Sequence, residues 1–526
     1  MTTHDAVVIG AGPNGLVSAN RLVDAGWDVL VLEAQDTVGG AVRSDQEVHP
    51  DFTHDTFSAF YPLAVASAPI RSLQLEKFGL EWAHAPAVLG HPRPDGSWAL
   101  LHRDVDITAE LMDRQHPGDG AAWRDLHAIW QRMGPSLTSA LTSPLPPVRA
   151  GLGMLARVRS AGGLSFVRML LEPAITMSQK RFGGDAPALL LSGNAAHADI
   201  PLDAAGSGLM GLLLAMLGQT VGFPSPVGGA GQLTAAMARR LESKGGTIRT
   251  GAPVDSVVVK NGCAVGVTSG GEEFQARRAV VADVSAKHLY GGLVRWEDLP
   301  ARVRRDMQAF DLDPGTVKVD WALSAPVPWT GPPEYAAGTV HIAESVQAMV
   351  TALGQVEAGQ IPADPFLLTG QMSTTDPTRS PAGTEALWAY SHVPQVVRGD
   401  AGDEIKGVWD ADDCERFADR MQAQIERFAP DLASRILSRR VLGPHQLEQR
   451  DANLIGGAIN GGTAALHQQL IFRPVPGLGR ANTPVRRLYL GSASAHPGGG
   501  VHGAPGMNAA RAALADVRLE ALKVWR

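Results

Sequence analysis

The chain has 526 residues, more than the roughly 250 to 300 at which a single hydrophobic core stops growing, so two intimately joined domains are expected. Its 44% hydrophobic and 19% charged residues sit in the globular range and exclude a disordered chain. A net charge of -7 with no basic run excludes nucleic acid as a partner, and the two distant cysteines, Cys263 and Cys414, exclude a redox dithiol or a disulfide framework.

The first apolar run, Ala6 to Ile9, stands almost at the initiator methionine and leaves no space for a signal peptide, so a cytoplasmic protein is expected. It runs straight into Gly10-Ala11-Gly12-Pro13-Asn14-Gly15, followed by Leu16 to Ala25 with helical apolar spacing. This order reads as strand, glycine turn and helix. Gly10 permits the tight turn, Gly12 lets backbone approach a pyrophosphate, and Gly15 lets the helix pack closely on the strand. The amides at the helix N-terminus then meet a phosphate. A second strand, Trp27 to Leu32, ends in Glu33, 18 residues beyond Gly15 and at the place of a ribose-binding acid. Taken alone, this unit fits NAD as well as FAD. The next piece, Ala34 to Arg43, carries a second glycine pair, Gly39-Gly40.

Pro69 to Pro224 shows helical patches broken by proline-rich connectors. Within it, Gly206 to Phe223 is the most apolar stretch, but it falls short of the roughly 20 residues of a membrane span. It reads as a buried or tunnel-lining helix, or else as a helix touching a membrane surface. Gln232 to Lys244 is helical, and short strands follow at Thr247 to Thr250, Val254 to Lys260, Ala264 to Thr268 and Phe274 to Ala282, with a hairpin signal at Asn261-Gly262. Thr316 to Leu323 puts Val317, Val319, Trp321 and Leu323 on one face of a strand, and Leu387 to Val393 puts Trp388, Tyr390 and His392 on one face. Such strands fit either the floor of a ligand pocket or plain core packing. Finally, strand Arg487 to Leu490 enters a glycine-rich run, Gly491 to Asn508, ahead of a helix that reaches the C-terminus.

Val7 to Arg43 resembles the glutathione-reductase-like flavoproteins, and within them the phytoene desaturase and amine oxidase group. Gly491 to Asn508, with its His496-Pro497-Gly498-Gly499-Gly500, is similar to the carboxyl-terminal signature of the phytoene-desaturase-like proteins. It is most similar to the subgroup of pyridine nucleotide-disulfide oxidoreductase domain proteins. The resemblance implies FAD in place of NAD. It also implies an α/β fold whose Rossmann-type FAD-binding domain is discontinuous, over 1–68, 225–290 and 481–526. An α+β substrate domain would take 69–224, mostly helical, and 291–480. By the same resemblance Gly39 and Gly40 pass beside the FAD diphosphate, and Ala34 and Ala41, on either side of them, also bind the cofactor. Relatives place an arginine directly after the glycine pair; here Ala41 stands there, so Arg43 takes the phosphate-neutralising role. Val254 would lie beside the adenine, and Gly491 and Ser492 would approach the ribityl and diphosphate. The helix starting near Met507, just after the cofactor-binding Gly506, would aim its amides at the flavin pyrimidine.

The other near match to a dinucleotide turn, Gly151-Leu152-Gly153, follows prolines instead of a strand, so no second nucleotide domain is expected. With no redox dithiol, a disulfide reductase is excluded. What remains is hydride transfer from an organic substrate to the flavin, with reoxidation by oxygen or a quinone; the resemblance implies that the substrate is long and apolar. His496, His502 and Tyr390 are the candidate proton acceptors, each with a purely structural role as the alternative. No metal site is expected. Two other classes stay open: a non-redox flavin isomerase, and an FAD-stabilised regulatory or interaction protein.

Overall fold

From its amino end the chain forms strand β1 (Thr2–Ile9), helix α1 (Pro13–Val23) and strand β2 (Val29–Leu32). A computed structural model describes residues 2–146 and 163–524; Gly151-Leu152-Gly153 lies outside the described residues. Strands β3 (Ala87–Pro92) and β4 (Trp98–Leu101) precede a helical region that includes α2 (Asp185–Ala195) and α3 (Ser207–Val221). Then come α4 (Gly231–Ser243), β5 (Thr247–Arg249), β6 (Ser256–Lys260), β7 (Cys263–Ser269) and β8 (Glu272–Ala282). A second set of strands follows, β9 (Gly315–Leu323), β10 (Ala337–Ile342), β11 (Leu367–Gln371) and β12 (Glu385–Val393), then α5 (Ala411–Glu426) and β13 (Ile436–Leu442). The chain closes with β14 (Leu488–Leu490) and α6 (Ala504–Val524).

The first sheet is built on β1, whose residues Ala6 to Ile9 are wholly apolar and buried because both faces are covered. It pairs in parallel with β2 on one side, Ala6 opposite Val29, and with β8 on the other, Val7 opposite Val280. Beyond β2 lies β5, also parallel. The free edge of β8 is divided: its first half takes the β6–β7 hairpin, antiparallel, and its second half takes β14, parallel. The hairpin turns at Asn261-Gly262, both with positive φ, as the Asn-Gly signal requires. Strand order therefore reverses at β1, and the crevice outside the carboxyl end of β1 opens at Gly10, where doubly wound sheets bind nucleotides. Helices α1, α4 and α6 cover one face through Leu16, Leu22, Leu233, Met237, Ala509 and Ala513.

The second sheet has the order β13-β9-β12-β11-β10-β3-β4, antiparallel except where β10 meets β3. One face is apolar: Val317, Val319, Trp321, Leu323, Val340, Leu387 and Ala389 pack with Phe417, Met421 and Ile425 of α5. Trp321 is thus a core residue. The opposite face carries Thr316, Lys318 and Asp320 of β9 directly across from His392, Tyr390 and Trp388 of β12. At its far end Leu89, Leu101 and Leu368 pack under α2 and α3, through residues such as Leu190 and Leu217. The apolar helix α3 is buried there, and among the described residues no helix is long and apolar enough to cross a membrane.

Candidate active site

Around the carboxyl end of β1 the glycines are held by close approach. Gly10 has φ +92°, and a Cβ there would lie 2.8 Å from the Asp283 carbonyl. A Cβ at Gly15 would come within 2.2 Å of the Gly10 carbonyl, so α1 can sit on the turn only with glycine at this position. At Gly12 a Cβ would point inward, 2.8 Å from Asp283 Oδ2, so the glycine makes room for a buried carboxylate as well as leaving its backbone open to the crevice. The second turn meets the first: the Gly39 amide donates to the Ala11 carbonyl at 2.9 Å, and a Cβ at Gly40 would lie 3.2 Å from Gly12 Cα. Gly10, Gly12, Pro13, Asn14, Gly40, Ala41 and Arg43 all keep accessible surface along this crevice, while Ala34 is exposed at its outer end and Val254 is half-buried.

Glu33 sits at the tip of β2 with its carboxylate buried. Its two oxygens accept from the Ala11 amide at 2.7 Å and the Gln35 amide at 2.9 Å, and desolvation still raises its pKa. Arg43 donates from Nη2 to the Arg450 carbonyl at 2.6 Å and lies 5.4 Å from the Phe57 ring, leaving its buried Nε without a partner. Two acids here were not foreseen. Asp451 faces Gly40, and Asp283, one residue beyond β8, accepts from the Gly15 amide at 2.7 Å. Asp283 stands after its strand as Glu33 stands after β2, which is the local signal that could have found it. Asp451 lies in no comparable pattern.

Burial, with the nearby Asp451 and Glu33, pushes the Asp283 carboxyl up to about 8, against the opposing pull of the Gly15 amide. The unfolded chain loses this proton near pH 4, whereas the folded chain keeps it to about pH 8. The stability held by the protonated carboxyl is therefore complete below pH 4 and drains away as pH rises through 8. In the apoprotein, Asp283→Asn keeps an acceptor for Gly15, and its gain in Tm over the parent should grow steadily between pH 5 and pH 8. A gain of the same size at both ends would show that Asp283 does not titrate between these pH values.

The carboxyl-terminal run closes the crevice from the other side. Helix α6 begins at Ala504, earlier than the Met507 expected from the sequence, because His502 Nδ1 accepts the Ala504 amide at 3.1 Å and so starts the helix. Gly506 presses on α1, where a Cβ would stand 1.9 Å from the Asn14 carbonyl, and Met507 is buried in the helix-covered core. Gly491 donates to the Ala282 carbonyl and packs against Gly506; Ser492 is buried and its Oγ accepts the Ser494 amide. The three proton-acceptor candidates are not equivalent. His502 Nε2 donates to the Gly499 carbonyl at 3.2 Å while Nδ1 takes Ala504, so both nitrogens are committed to backbone, and burial lowers its pKa to about 4. His496 Nε2 donates to the Ser143 carbonyl at 3.0 Å, which leaves the lone pair on Nδ1, buried and unpartnered. Tyr390 lies on the second sheet and keeps accessible surface, and burial raises its phenol pKa.

These residues fit the expected FAD. Two glycine turns meet at a crevice flanked by the N-termini of α1 and α6, a carboxylate stands at the tip of β2, and Asn14 Oδ1 and Arg43 Nε are buried polar atoms still without partners. Among the described residues there is no cluster that could hold a metal ion.

Comparison with known proteins agrees. Residues 14–317 match the family model of the flavin containing amine oxidoreductases. The chain is 28% identical over 556 aligned positions to pyridine nucleotide-disulfide oxidoreductase domain-containing protein 2 of Mus musculus, covering 98% of this chain and 94% of that protein. It is 26% identical over 557 positions to the phytoene desaturase (neurosporene-forming) of Cereibacter sphaeroides, covering 97% and 94%. Among solved structures, putrescine oxidase bound to putrescine shares the fold, with a TM-score of 0.61 at 17% identity over 98% of this chain and 99% of that one. The chain belongs to the flavin containing amine oxidoreductase family and is an FAD-dependent oxidoreductase.

Proposed function

We propose that the protein oxidises an apolar organic substrate, in the manner of a desaturase or dehydrogenase, and passes the electrons to oxygen or a quinone. The observation that carries this reading is the aromatic wall on the second sheet: Trp388 and Tyr390 stack at 6.0 Å and 8°, and Tyr390 keeps accessible surface next to the apolar core under α3. The phytoene desaturase relative, by its name, desaturates phytoene and forms neurosporene. Bound FAD supplies the two-electron acceptor that takes a hydride equivalent.

The chain's own residues bind and orient. Gly10, Gly12, Pro13, Asn14 and Gly15, with Gly39, Gly40 and Ala41, form the diphosphate cradle. Glu33 and Ala34 hold the ribose end, and Val254 the adenine. Arg43 neutralises phosphate charge. Gly491, Ser492, Gly506 and Met507 bring the N-terminus of α6 to the flavin. Forming a double bond also releases a proton, and of the three candidates only His496 offers a free lone pair for it. Tyr390, held neutral by burial, lines the wall, and His502 shapes the glycine run. The exposed Leu164, Leu171, Leu466 and Ile471 support contact with a membrane surface from which such a substrate would be drawn.

The test is anaerobic mixing of the FAD-loaded protein with a panel of apolar alkenes and amines. At least one should bleach the flavin, air or a quinone should restore it, and His496→Ala should slow bleaching by about 100-fold. If dithionite bleaches the flavin and no compound does, a regulatory or isomerase role replaces this reading.

A further inference from the structure

On the wall face of the second sheet, beyond Tyr390, lies a polar end that no step above uses. His392 is 4% exposed; neither ring nitrogen reaches a partner in hydrogen-bond geometry, with the Gly315 backbone alongside. Thr316, directly opposite on β9, has a buried Oγ1 that is also unpartnered. The Tyr390 ring meets His392 edge-on at 5.6 Å. From beyond the end of α2 comes His197, whose Nε2 lies 3.0 Å from Nε2 of His341 on β10. One proton is shared in that contact. His341 Nδ1 is buried without a partner, pressed on Gly193, and a bare lone pair is tolerated there better than an orphaned N–H. His341 therefore donates from Nε2, and the proton of His197 is left on Nδ1, on the member of the pair that keeps accessible surface.

Burial keeps these imidazoles neutral: His197 is lowered to about 3, and His392 and His341 also titrate below the usual histidine range. The nearby cations are already committed. Lys318 is held by Asp320 and the Asp55 carbonyl, and Arg473 donates to the carbonyls of Asn460, Gly462, Thr463 and Ala493. The charge of Asp199, which acts on His392, would repel an anion further. A neutral imidazole offers one donor and one acceptor, which suits an uncharged oxygen and not a carboxylate. We infer that His392, with His197 and Thr316, forms a recognition site for a hydroxyl or carbonyl group carried by an otherwise apolar substrate, whose body lies along Tyr390 and Trp388. This rests on the proposal that the substrate occupies this wall.

The FAD-loaded protein is titrated with hexadecane, hexadecanol and hexadecanoate delivered from cyclodextrin, and binding is followed by the flavin difference spectrum and by calorimetry. Hexadecanol should bind about tenfold more tightly than hexadecane, the effect of one neutral hydrogen bond in a buried site, and hexadecanoate more weakly than the alcohol. His392→Leu and, separately, Thr316→Val should each shrink the preference for the alcohol with the flavin spectrum retained. Equal binding of alcohol and alkane, binding of none of the three, or a preference untouched by both variants overturns the inference. Bleaching is read in the same samples and with the panel of apolar alkenes and amines, so selectivity for the oxygen group with no bleaching by that panel would remove the redox reading and leave the recognition site standing.

Discussion

Glu33→Ala and Gly12→Val will each yield folded, colourless protein. Glu33 acts on both sides of the cofactor crevice. Its oxygens hold the Ala11 and Gln35 amides, which shape the first turn and the exit from β2. A charge-assisted hydrogen bond contributes about 1.5–3 kcal/mol, so losing the carboxylate weakens FAD binding by about 10- to 150-fold. Glu33→Gln, which keeps one acceptor oxygen, should fall between the two. Valine at position 12 acts by volume: even its Cβ would stand 2.8 Å from Asp283 Oδ2, with Gly40 packed against the Gly12 Cα. The two turns must part, and the diphosphate cradle parts with them. Circular dichroism separates cofactor loss from unfolding, and full yellow occupancy in both variants would sink the assignment of this crevice.

Much of that crevice was legible because its determinants are local. An apolar β-branched run, glycines at 10, 12 and 15 and an acid after the next strand describe one contiguous unit, and β1, α1 and β2 follow it within a few residues. The hairpin at Asn261-Gly262 was legible for the same reason, since its backbone demands positive φ at both positions. The second sheet was only half legible. Alternation in Thr316 to Leu323 and Leu387 to Val393 identified two faces, but not which one meets α5 and which is left to a ligand; that depends on a helix about 90 residues downstream of β9. The start of α6 was misplaced because its first amide is taken by the side chain of His502, a cap that glycine spacing does not announce. His496 and His502 look alike in sequence and differ only in where their second nitrogen points. The His197–His341 contact joins residues 144 apart, and nothing in either segment signals the other.

The second large effect lies where the two sheets are tied together. Arg379 has no accessible surface, and its guanidinium binds Asp55 at 2.9 Å and Asp376 at 3.1 Å, with further bonds to the Thr53 carbonyl and Ser225 Oγ. Those carboxylates in turn hold backbone: Asp55 accepts the Ala230 amide ahead of α4, and Asp376 accepts the Gly228 amide. One cation thus joins the segment after the second glycine turn, the approach to α4 and the loop after β11. Burial works against the charge, but the two carboxylates outweigh it and raise the Arg379 pKa. Arg379→Leu removes the cation and leaves two buried carboxylates facing each other, a loss of about 3–5 kcal/mol. The unfolding midpoint in urea should drop accordingly, and FAD should dissociate more readily, since Ser44, next to Arg43, also donates to Asp55. Adding Asp55→Asn to Arg379→Leu should recover part of the stability, because it removes the stranded charge and keeps an acceptor for Ala230. A midpoint unmoved by Arg379→Leu would mean that the junction is held by apolar packing alone.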